Sequence, residues 1–307
     1  MATAAATAPR VAKAERRHYA GLWSDAWWRV RRDKVTIAAF IVLGILVVLS
    51  LAADLFAQHL FKMKFEQQNL LGAYAAPTFD PPAYMLGSDE IGRSQVVRLL
   101  YGGRVSLMVG FLAGLVTMTI GVAVGLTAGF FRGRVDDIIT WMITTLQSIP
   151  TLYLLIIFAG LFSPSPSTLI FVLGILIWPG VANYVRGQTF AIREREFVTA
   201  ARTVGASKPR IMIKHILPNV MPLIIVLAAI DVGAIILIES GLSYLGLGIT
   251  PPTPSWGNML TNAASYFTLA WWLVLSPGIM IFLTVLTLYL IGDGLRDALD
   301  PRLRGSV

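Results

Sequence analysis

Few residues in this 307-residue chain have the types and spacing that enzyme chemistry requires. There is no cysteine, and the three histidines, His18, His59 and His215, are too far apart in the sequence to form an HExxH zinc motif. Neither a GxxxxGK(S/T) phosphate-binding loop nor a GxSxG nucleophile motif occurs. We therefore expect a protein without catalytic residues that binds neither a metal nor another cofactor.

Asp231 is the ionisable residue with the most unusual surroundings, because it lies in the apolar stretch that begins at Asn219. A carboxylate in the middle of a bilayer is costly, and it marks a transport pathway, a partner interface or a proton site. Two interpretations stay open: Asp231 faces a watery cavity or a sister subunit, or it is the coupling site of a stand-alone proton-coupled carrier. Gln147 and Asn183 are further candidates to line a pathway, whereas Glu239 is expected to be a solvated helix end.

The composition of the chain is that of a membrane protein. Hydrophobic residues make up 56 % of the sequence and charged residues 14 %, and the mean hydropathy is +0.70. Soluble domains average roughly 45–50 % apolar and about 25 % charged residues. Lipid must therefore solvate part of the chain. The net charge of +8 then indicates contact with lipid headgroups and cytoplasmic loops, not with nucleic acid.

Six apolar stretches are long enough to cross a bilayer. They are residues 35–53, 105–131, 138–162, 169–185, 219–238 and 271–291. With the N-terminus inside, 20 of the 25 Lys and Arg residues lie in inner segments and the other five in outer ones. Since basic residues favour the cytoplasmic side, we expect both termini in the cytoplasm. Pro150 and Pro179 are expected to kink the third and fourth spans.

The segments between the spans complete the predicted organisation. We expect a cytoplasmic tail at 1–34, a first span at 35–53, an extracytoplasmic loop at 54–104, a five-span core at 105–291 and a cytoplasmic tail at 292–307. The first tail is basic and contains Trp23, Trp27 and Trp28, which predicts an amphipathic segment at the membrane interface. Glycines recur along the second span and predict a helix-packing face: Gly110, Gly114, Gly121, Gly125 and Gly129.

Residues 193–218, between the fourth and fifth spans, have the pattern of two short helices that meet at Gly205. Ser207 can cap the second helix, and Pro218 is expected to end it. A basic connecting loop is the plainer alternative. A connector, however, needs neither two capped helices nor small residues such as Ala200 and Ala201 at their joint. The pattern favours an elbow onto which another protein docks.

The same segment resembles the "EAA" loop of ABC importer permeases, in which Glu-Ala-Ala, Gly and Leu-Pro recur at fixed spacing. Thr199 stands where that family has Glu, and His215 where it has Ile. The resemblance implies a coupling helix that sits in a groove of a cytoplasmic ATP-hydrolysing subunit. The residues assigned to this contact are Glu194, Glu196, Ala200, Ala201, Gly205, Leu217 and Pro218.

Three further segments are similar to permeases of the dipeptide, oligopeptide and nickel type, and to the "C" partner of their permease pairs. They are residues 86–93 with Asp89, Gly92 and Arg93, residues 242–260 with Trp256, and residues 294–304. For the proline-rich turn around Trp256 two interpretations stay open. It is a rigid surface turn with the indole at the headgroup level, or a rim that docks an extracytoplasmic binding protein.

The resemblance implies an all-α integral membrane protein with six transmembrane helices, the type I ABC importer permease fold and a cytoplasmic coupling helix between helices 4 and 5. It implies a permease subunit in a bacterial cytoplasmic (inner) membrane that imports di- or oligopeptides, with nickel chelates or sugars as alternative substrates. The implied partners are a homologous second permease, two ATP-binding cassette subunits, which bind the ATP and Mg, and a substrate-binding protein.

Overall fold

The computed structural model describes residues 22–163 and 165–300, and within these ranges the chain is helical without a β-strand. The parts of the predicted tails at 1–21 and 301–307 lie outside the described residues. The α-helices of eight or more residues, and one shorter helix before the last, are labelled in chain order. They are α1 Leu22–Val30, α2 Lys34–Leu51, α3 Gln95–Phe131, α4 Arg134–Gln147, α5 Thr151–Leu161, α6 Pro166–Arg193, α7 Glu196–Thr203, α8 Lys208–Tyr244, α9 Ala263–Leu269 and α10 Trp272–Leu299.

Among the described residues, five helices are long and apolar enough to cross a bilayer: α2, α3, α6, α8 and α10. A sixth crossing can be formed only by α4 and α5 together, and these two helices are bent by 78° relative to each other. The kink predicted at Pro150 is therefore a complete break. Proline disfavours helical backbone at the preceding residue, and Pro150 itself is the extended N-cap of α5. Pro179, in contrast, lies inside the continuous helix α6.

Helix α3 begins at Gln95, before the stretch of residues 105–131 that apolarity alone predicted. Ser94 is its N-cap, and the Ser94 hydroxyl accepts a hydrogen bond from the Val97 amide at 3.3 Å. The first turns of α3 are buried by the loop that precedes them, so residues 95–104, predicted as part of the outer loop, are helical. The loop before α3 instead contains short helical turns at Ala53–Leu55, Phe56–Phe61, Leu70–Gly72 and Pro82–Tyr84.

The predicted glycine face of α3 is where neighbouring helices approach most closely. A Cβ atom on Gly121 would lie 2.6 Å from Val181 Cβ, and one on Gly125 would lie 2.5 Å from the carbonyl oxygen of Ala182, both on α6. Nearer its N-terminus the same face meets α8, where a Cβ atom on Gly110 would lie 2.3 Å from Ile236. Small residues let helix backbones come together in lipid, where packing drives association. The prediction of a helix-packing face is confirmed.

Replacing Gly125 by Ala should therefore separate α3 from α6, because the added methyl group meets backbone atoms that cannot rotate away. We expect a loss of about 1–3 kcal/mol of stability, measured as a lower melting temperature of the detergent-purified protein. Gly180→Ala on α6 is the matched control, since a Cβ atom there has no neighbour within 4 Å. Equal melting temperatures for the two variants would contradict the packing described.

Candidate functional site

Residues 193–218 form the predicted elbow. They run from the end of α6 through α7 into the first turns of α8. Helix α7 ends at Thr203, and Gly205 has a left-handed backbone with φ +79°. The amides of Gly205 and Ala206 donate to the carbonyl oxygens of Arg202 and Ala201, each at 3.0 Å. This is the way in which a glycine ends a helix and reverses the chain. The predicted hinge at Gly205 is confirmed.

One face of the elbow is packed against the helical bundle. Val198, Ala201, Ile211 and Ile216 are buried in a cluster with residues at the adjoining ends of α3, α6 and α8, among them Phe130. Ala201 was assigned to the partner contact, but its buried side chain packs the elbow onto its own bundle. Leu217 is half-buried beside the same cluster. The elbow is therefore in direct contact with three apolar helices.

The opposite face of the elbow is open and partly apolar. The side chain of Val204 is 83 % exposed, that of Phe197 is 44 % exposed, and Ala200 is exposed between them. We call Phe197, Ala200 and Val204 the elbow face. The elbow also carries exposed basic residues, Arg195, Arg202, Lys208 and Arg210. An exposed apolar face on a basic segment suits a partner that offers an apolar groove and acidic residues.

The two acidic residues assigned to the elbow have different surroundings. Glu194 forms an ion pair with Arg132 at 2.9 Å, which connects the start of the elbow to the turn between α3 and α4. Both side chains are largely exposed, so the pair contributes little stability and serves mainly to fix position. Glu196 is exposed in the first turn of α7, where a negative charge complements the helix dipole.

Pro218 was expected to end the second helix of the elbow, but the helix continues through it. The chain stays helical from Lys208 to Tyr244, with one π-helical turn at Met212–Ile216. Pro218 is the second residue after that wider turn, near the point where the regular i→i−4 pattern is already interrupted, so its missing N–H is tolerated there. The second helix of the elbow and the apolar part of α8 are thus one continuous helix, and Pro218 is exposed at their junction.

The structure joins two of the three predicted pathway residues. The Asn183 side-chain amide on α6 donates to Gln147 Oε1 at the end of α4, at 3.4 Å, and this pair is exposed.

Asp231 on α8 is half-buried, and its carboxylate has neither a hydrogen bond nor an ion pair with any residue of the described ranges. Such a group in an apolar helix needs water or another subunit beside it.

At the other end of the bundle, the predicted motif residues build a folded loop. Asp89 is buried and accepts hydrogen bonds from the backbone amide of Arg93 at 2.9 Å and from its guanidinium at 2.6 Å, and it also pairs with Arg98. Gly92 has φ +73°, and a Cβ atom there would lie 1.8 Å from the carbonyl oxygen of Asn69. The ion pairs of Asp89 and the close backbone contact at Gly92 therefore stabilise the conformation of residues 69–98.

Glu239, expected to be a solvated helix end, is fully buried. Ser243 donates to its Oε1 at 2.7 Å, and Ser106 on α3 donates to its Oε2 at 3.0 Å. Each serine in turn accepts a backbone amide of the next loop: Ser243 that of Ile249 at 2.9 Å, Ser106 that of Trp256 at 3.2 Å. One carboxylate thus fixes both ends of the loop at residues 249–256.

Trp256 is also fully buried, so the interpretation that places its indole at the headgroup level is wrong. The indole N–H donates to the carbonyl oxygen of Leu99 at 3.0 Å, and the ring lies against Gly103 of α3. The indole fills the space left by the missing side chains of Gly102 and Gly103 near the start of α3. This packing fixes the turn against α3. Its proline-rich neighbours Pro251 and Pro252 remain exposed.

The loop before α3 is joined to the segment between α8 and α10 and to the start of α10. Trp272 donates its indole N–H to the carbonyl oxygen of Ser88 at 3.2 Å, and the Tyr266 hydroxyl donates to Glu90. Burial, together with that carboxylate, raises the pKa of Tyr266 to about 12, so the hydroxyl stays a donor at neutral pH. We call residues 69–98 and 249–266 the outer platform. A cavity of about 170 Å³, lined by charged, polar and apolar side chains, lies between its two loops.

Comparisons with known proteins agree with this architecture. The family model described as "Binding-protein-dependent transport system inner membrane component" matches residues 121–305. A second model, the "N-terminal TM domain of oligopeptide transport permease C", matches residues 21–79.

Similar proteins cover nearly the whole chain. The oligopeptide transport system permease protein OppC of Haemophilus influenzae is 36 % identical over 281 residues, which cover 92 % of this chain and 89 % of that protein. The dipeptide transport system permease protein DppC of Bacillus subtilis is 38 % identical over 282 residues, with 91 % and 86 % covered. The glutathione transport system permease protein GsiD of Pectobacterium atrosepticum is 36 % identical over 282 residues, with 92 % of each chain covered.

The fold and these matches define a multi-pass, all-α membrane protein of the permease class. The chain belongs to the family of binding-protein-dependent transport system inner membrane components.

The serine–carboxylate arrangement at Glu239 gives a direct test. Glu239→Gln keeps the size of the side chain but replaces one acceptor oxygen by an amide that donates, so one serine loses its acceptor. An unsatisfied buried donor costs about 1–3 kcal/mol, and amide exchange at residues 249–256 should accelerate roughly ten- to hundredfold. Hydrogen–deuterium exchange with mass spectrometry measures this.

Glu66→Gln is the control for that experiment, because Glu66 is an exposed carboxylate on a different loop. Its exchange at residues 249–256 should match that of the unaltered protein. Unchanged exchange in Glu239→Gln would mean that the carboxylate does not hold the loop.

Proposed function

We propose that this chain is the non-catalytic permease subunit of an ATP-driven importer of di- and oligopeptides. The elbow face is the observation that carries the coupling part of this proposal. Phe197 and Val204 are exposed on a short capped helix whose other side is buried in the bundle. A connecting segment does not need an exposed apolar face. An element that binds a partner and transmits its movement to the bundle needs both this exposed face and the buried one.

The proposed substrate class rests on the relatives. Those described above are named for the transport of oligopeptides, dipeptides and glutathione, all of which are peptides. Nothing in the structure favours nickel chelates or sugars. A stand-alone proton-coupled carrier with Asp231 as its coupling site would leave the elbow face without a purpose, and we do not propose it.

Coupling follows from the way the elbow is built. In the proposed assembly, two cytoplasmic ATPase subunits bind ATP and Mg and close on each other, and this chain supplies only the surface that they move. Since Val198 and Ile211 of the elbow pack against the ends of α3 and α6, displacement of α7 tilts those helices as a unit. The unbroken helix from Lys208 to Tyr244 carries the same displacement into the bilayer.

A homologous second permease completes the pathway in this proposal. Gln147 and Asn183 are exposed polar residues, and Asp231 is a half-buried carboxylate in an apolar helix. A second subunit across from α8 would enclose a pathway and give Asp231 water or a partner. On the opposite side, the outer platform provides a rigid surface for a substrate-binding protein, because its loops are fixed at Asp89 and Glu239.

The elbow face can be tested by co-purification. Val204→Asp places a charge where an apolar groove is expected, and it should release the ATPase subunits while the second permease stays bound. Loss of one such exposed apolar contact costs roughly 2 kcal/mol or more, about thirtyfold in affinity. Copy numbers of co-purified subunits from native membranes, measured by quantitative mass spectrometry, report the result.

Leu71→Asp is the matched control, because Leu71 is fully exposed on the loop before α3, away from the elbow. It should leave ATPase retention unchanged. Retention of the ATPases by Val204→Asp at the level of Leu71→Asp would remove the basis for the docking proposal. A substitution at Ala201 is unsuitable for this test. Because Ala201 is buried, a larger side chain there would disturb the fold as well as docking, and the two effects could not be separated.

The proposed orientation places both termini and the elbow in the cytoplasm of a bacterium. Since the chain has no cysteine, single introduced cysteines report their own positions. Leu71→Cys should react with a membrane-impermeant maleimide on intact spheroplasts, whereas Val204→Cys should react only after the membrane is opened. The reverse pattern would require the opposite topology.

A further inference from the structure

Helix α1, which precedes the first span, carries two tryptophans on its exposed side. Trp27 is 59 % exposed and Trp28 is 48 % exposed. Two arginines that follow the helix stack on them: the Arg31 guanidinium lies 4.8 Å from the centre of the Trp27 ring, and that of Arg32 lies 3.4 Å from the centre of the Trp28 ring. Neither arginine forms an ion pair with a residue of the described ranges.

The other side of α1 is fixed to the end of the last span. Ala26 and Val30 are buried against Ala298 and Leu299 of α10, and Arg29 donates to the carbonyl oxygen of Asp300 at 3.3 Å. These contacts fix where α1 lies relative to α10. Its two tryptophan–arginine pairs are presented in a fixed direction.

The joint between α1 and the first span fixes the depth of these pairs. Asp33 caps α2 by accepting the Val35 amide at 3.0 Å, and Thr36 is buried against Gly294 of α10. The apolar helix α2 begins at Lys34, only a few residues after Trp27 and Trp28. The aromatic rings therefore lie where the hydrocarbon core ends, which is the depth that tryptophan prefers.

A guanidinium stacked on an indole keeps its N–H edge free to form paired hydrogen bonds with phosphate oxygens. Arg31, Arg32 and Lys34 are all exposed at this level and give the joint a local positive charge. The charge opposes that of an anionic headgroup, while the indoles match the boundary of the acyl chains.

We propose that Trp27, Trp28, Arg31 and Arg32 form a binding site for anionic phospholipid headgroups. Through this site the membrane surface clamps α1 onto the end of α10, so that anionic lipid stabilises the contact between the first and last spans. The proposal does not depend on the transported substrate.

The test uses the full-length protein in nanodiscs of phosphatidylcholine alone or of phosphatidylcholine mixed with phosphatidylglycerol. Each basic residue near an anionic surface contributes about fivefold in binding, so amide exchange at residues 22–34 should slow by on the order of tenfold in the mixed discs. Arg31→Gln/Arg32→Gln should lose this difference. Trp27→Leu/Trp28→Leu, which stays apolar but lacks the stacked rings, should retain only part of it.

Lys62→Gln/Lys64→Gln is the matched control for loss of two positive charges, because both lysines are exposed on a different loop. It should behave as the unaltered protein. Unchanged exchange at α3 shows that each variant is folded. Equal exchange at residues 22–34 in both kinds of nanodisc would overturn the proposal. So would equal slowing by inorganic phosphate in discs without phosphatidylglycerol, since the site would then bind free anions.

Discussion

Helices α3 and α6 approach so closely that the glycines of α3 leave no room for a side chain, and the other elements are arranged around this contact. In lipid there is no water to drive apolar side chains together, so backbone proximity and close packing must supply the attraction. Gly121 and Gly125 permit that proximity toward α6, and Gly110 permits it toward α8. The elbow rests on the ends of these same helices, with Val198 and Ile211 in the shared cluster. The elbow thus rests on the most closely packed helices described above.

Polar groups at the end of the bundle opposite the elbow serve a different purpose from that of Asp231 in its middle. Asp89 with Arg93 and Arg98, and Glu239 with its serines, are satisfied within the chain and give loops a fixed shape. Asp231 has no such support from the described residues, although it lies in the same helix as Glu239. A buried polar group with all its partners rigidifies a structure, whereas one without them requires an outside partner.

The sequence predicts those features that depend on a few neighbouring residues. The apolar spans follow from length and hydropathy, the turn at Gly205 from a glycine between two short helical patterns, and the packing face of α3 from glycine spacing. Pro150 marks where the third span is interrupted, but the 78° bend depends on what packs around α4 and α5. The start of α3 at Gln95 depends on a polar loop that buries its first turns, and hydropathy does not report that.

Side-chain contacts between residues that are far apart in the chain could not be predicted from the sequence. Glu239 was expected to be a solvated helix end because its partner Ser106 is 133 positions away, and one interpretation placed Trp256 at the headgroup level because Gly103 is still farther away along the chain. One local sign was present: Ser243 follows Glu239 by four residues and can reach it along the helix. For the elbow, the pattern identified the segment, but only the fold separates Ala200, which faces outward, from Ala201, which faces inward.

The sharing of one carboxylate by both ends of residues 249–256 has a mechanical consequence. Ser243 reaches one oxygen of Glu239 and Ser106 the other, so two hydroxyls and one carboxylate form a hydrogen-bonded path from the Ile249 amide to the Trp256 amide. A displacement of Ile249 therefore reaches Trp256 through this path as well as along the loop itself. The loop and the path together form a closed ring, which couples the movements of the two ends of the loop.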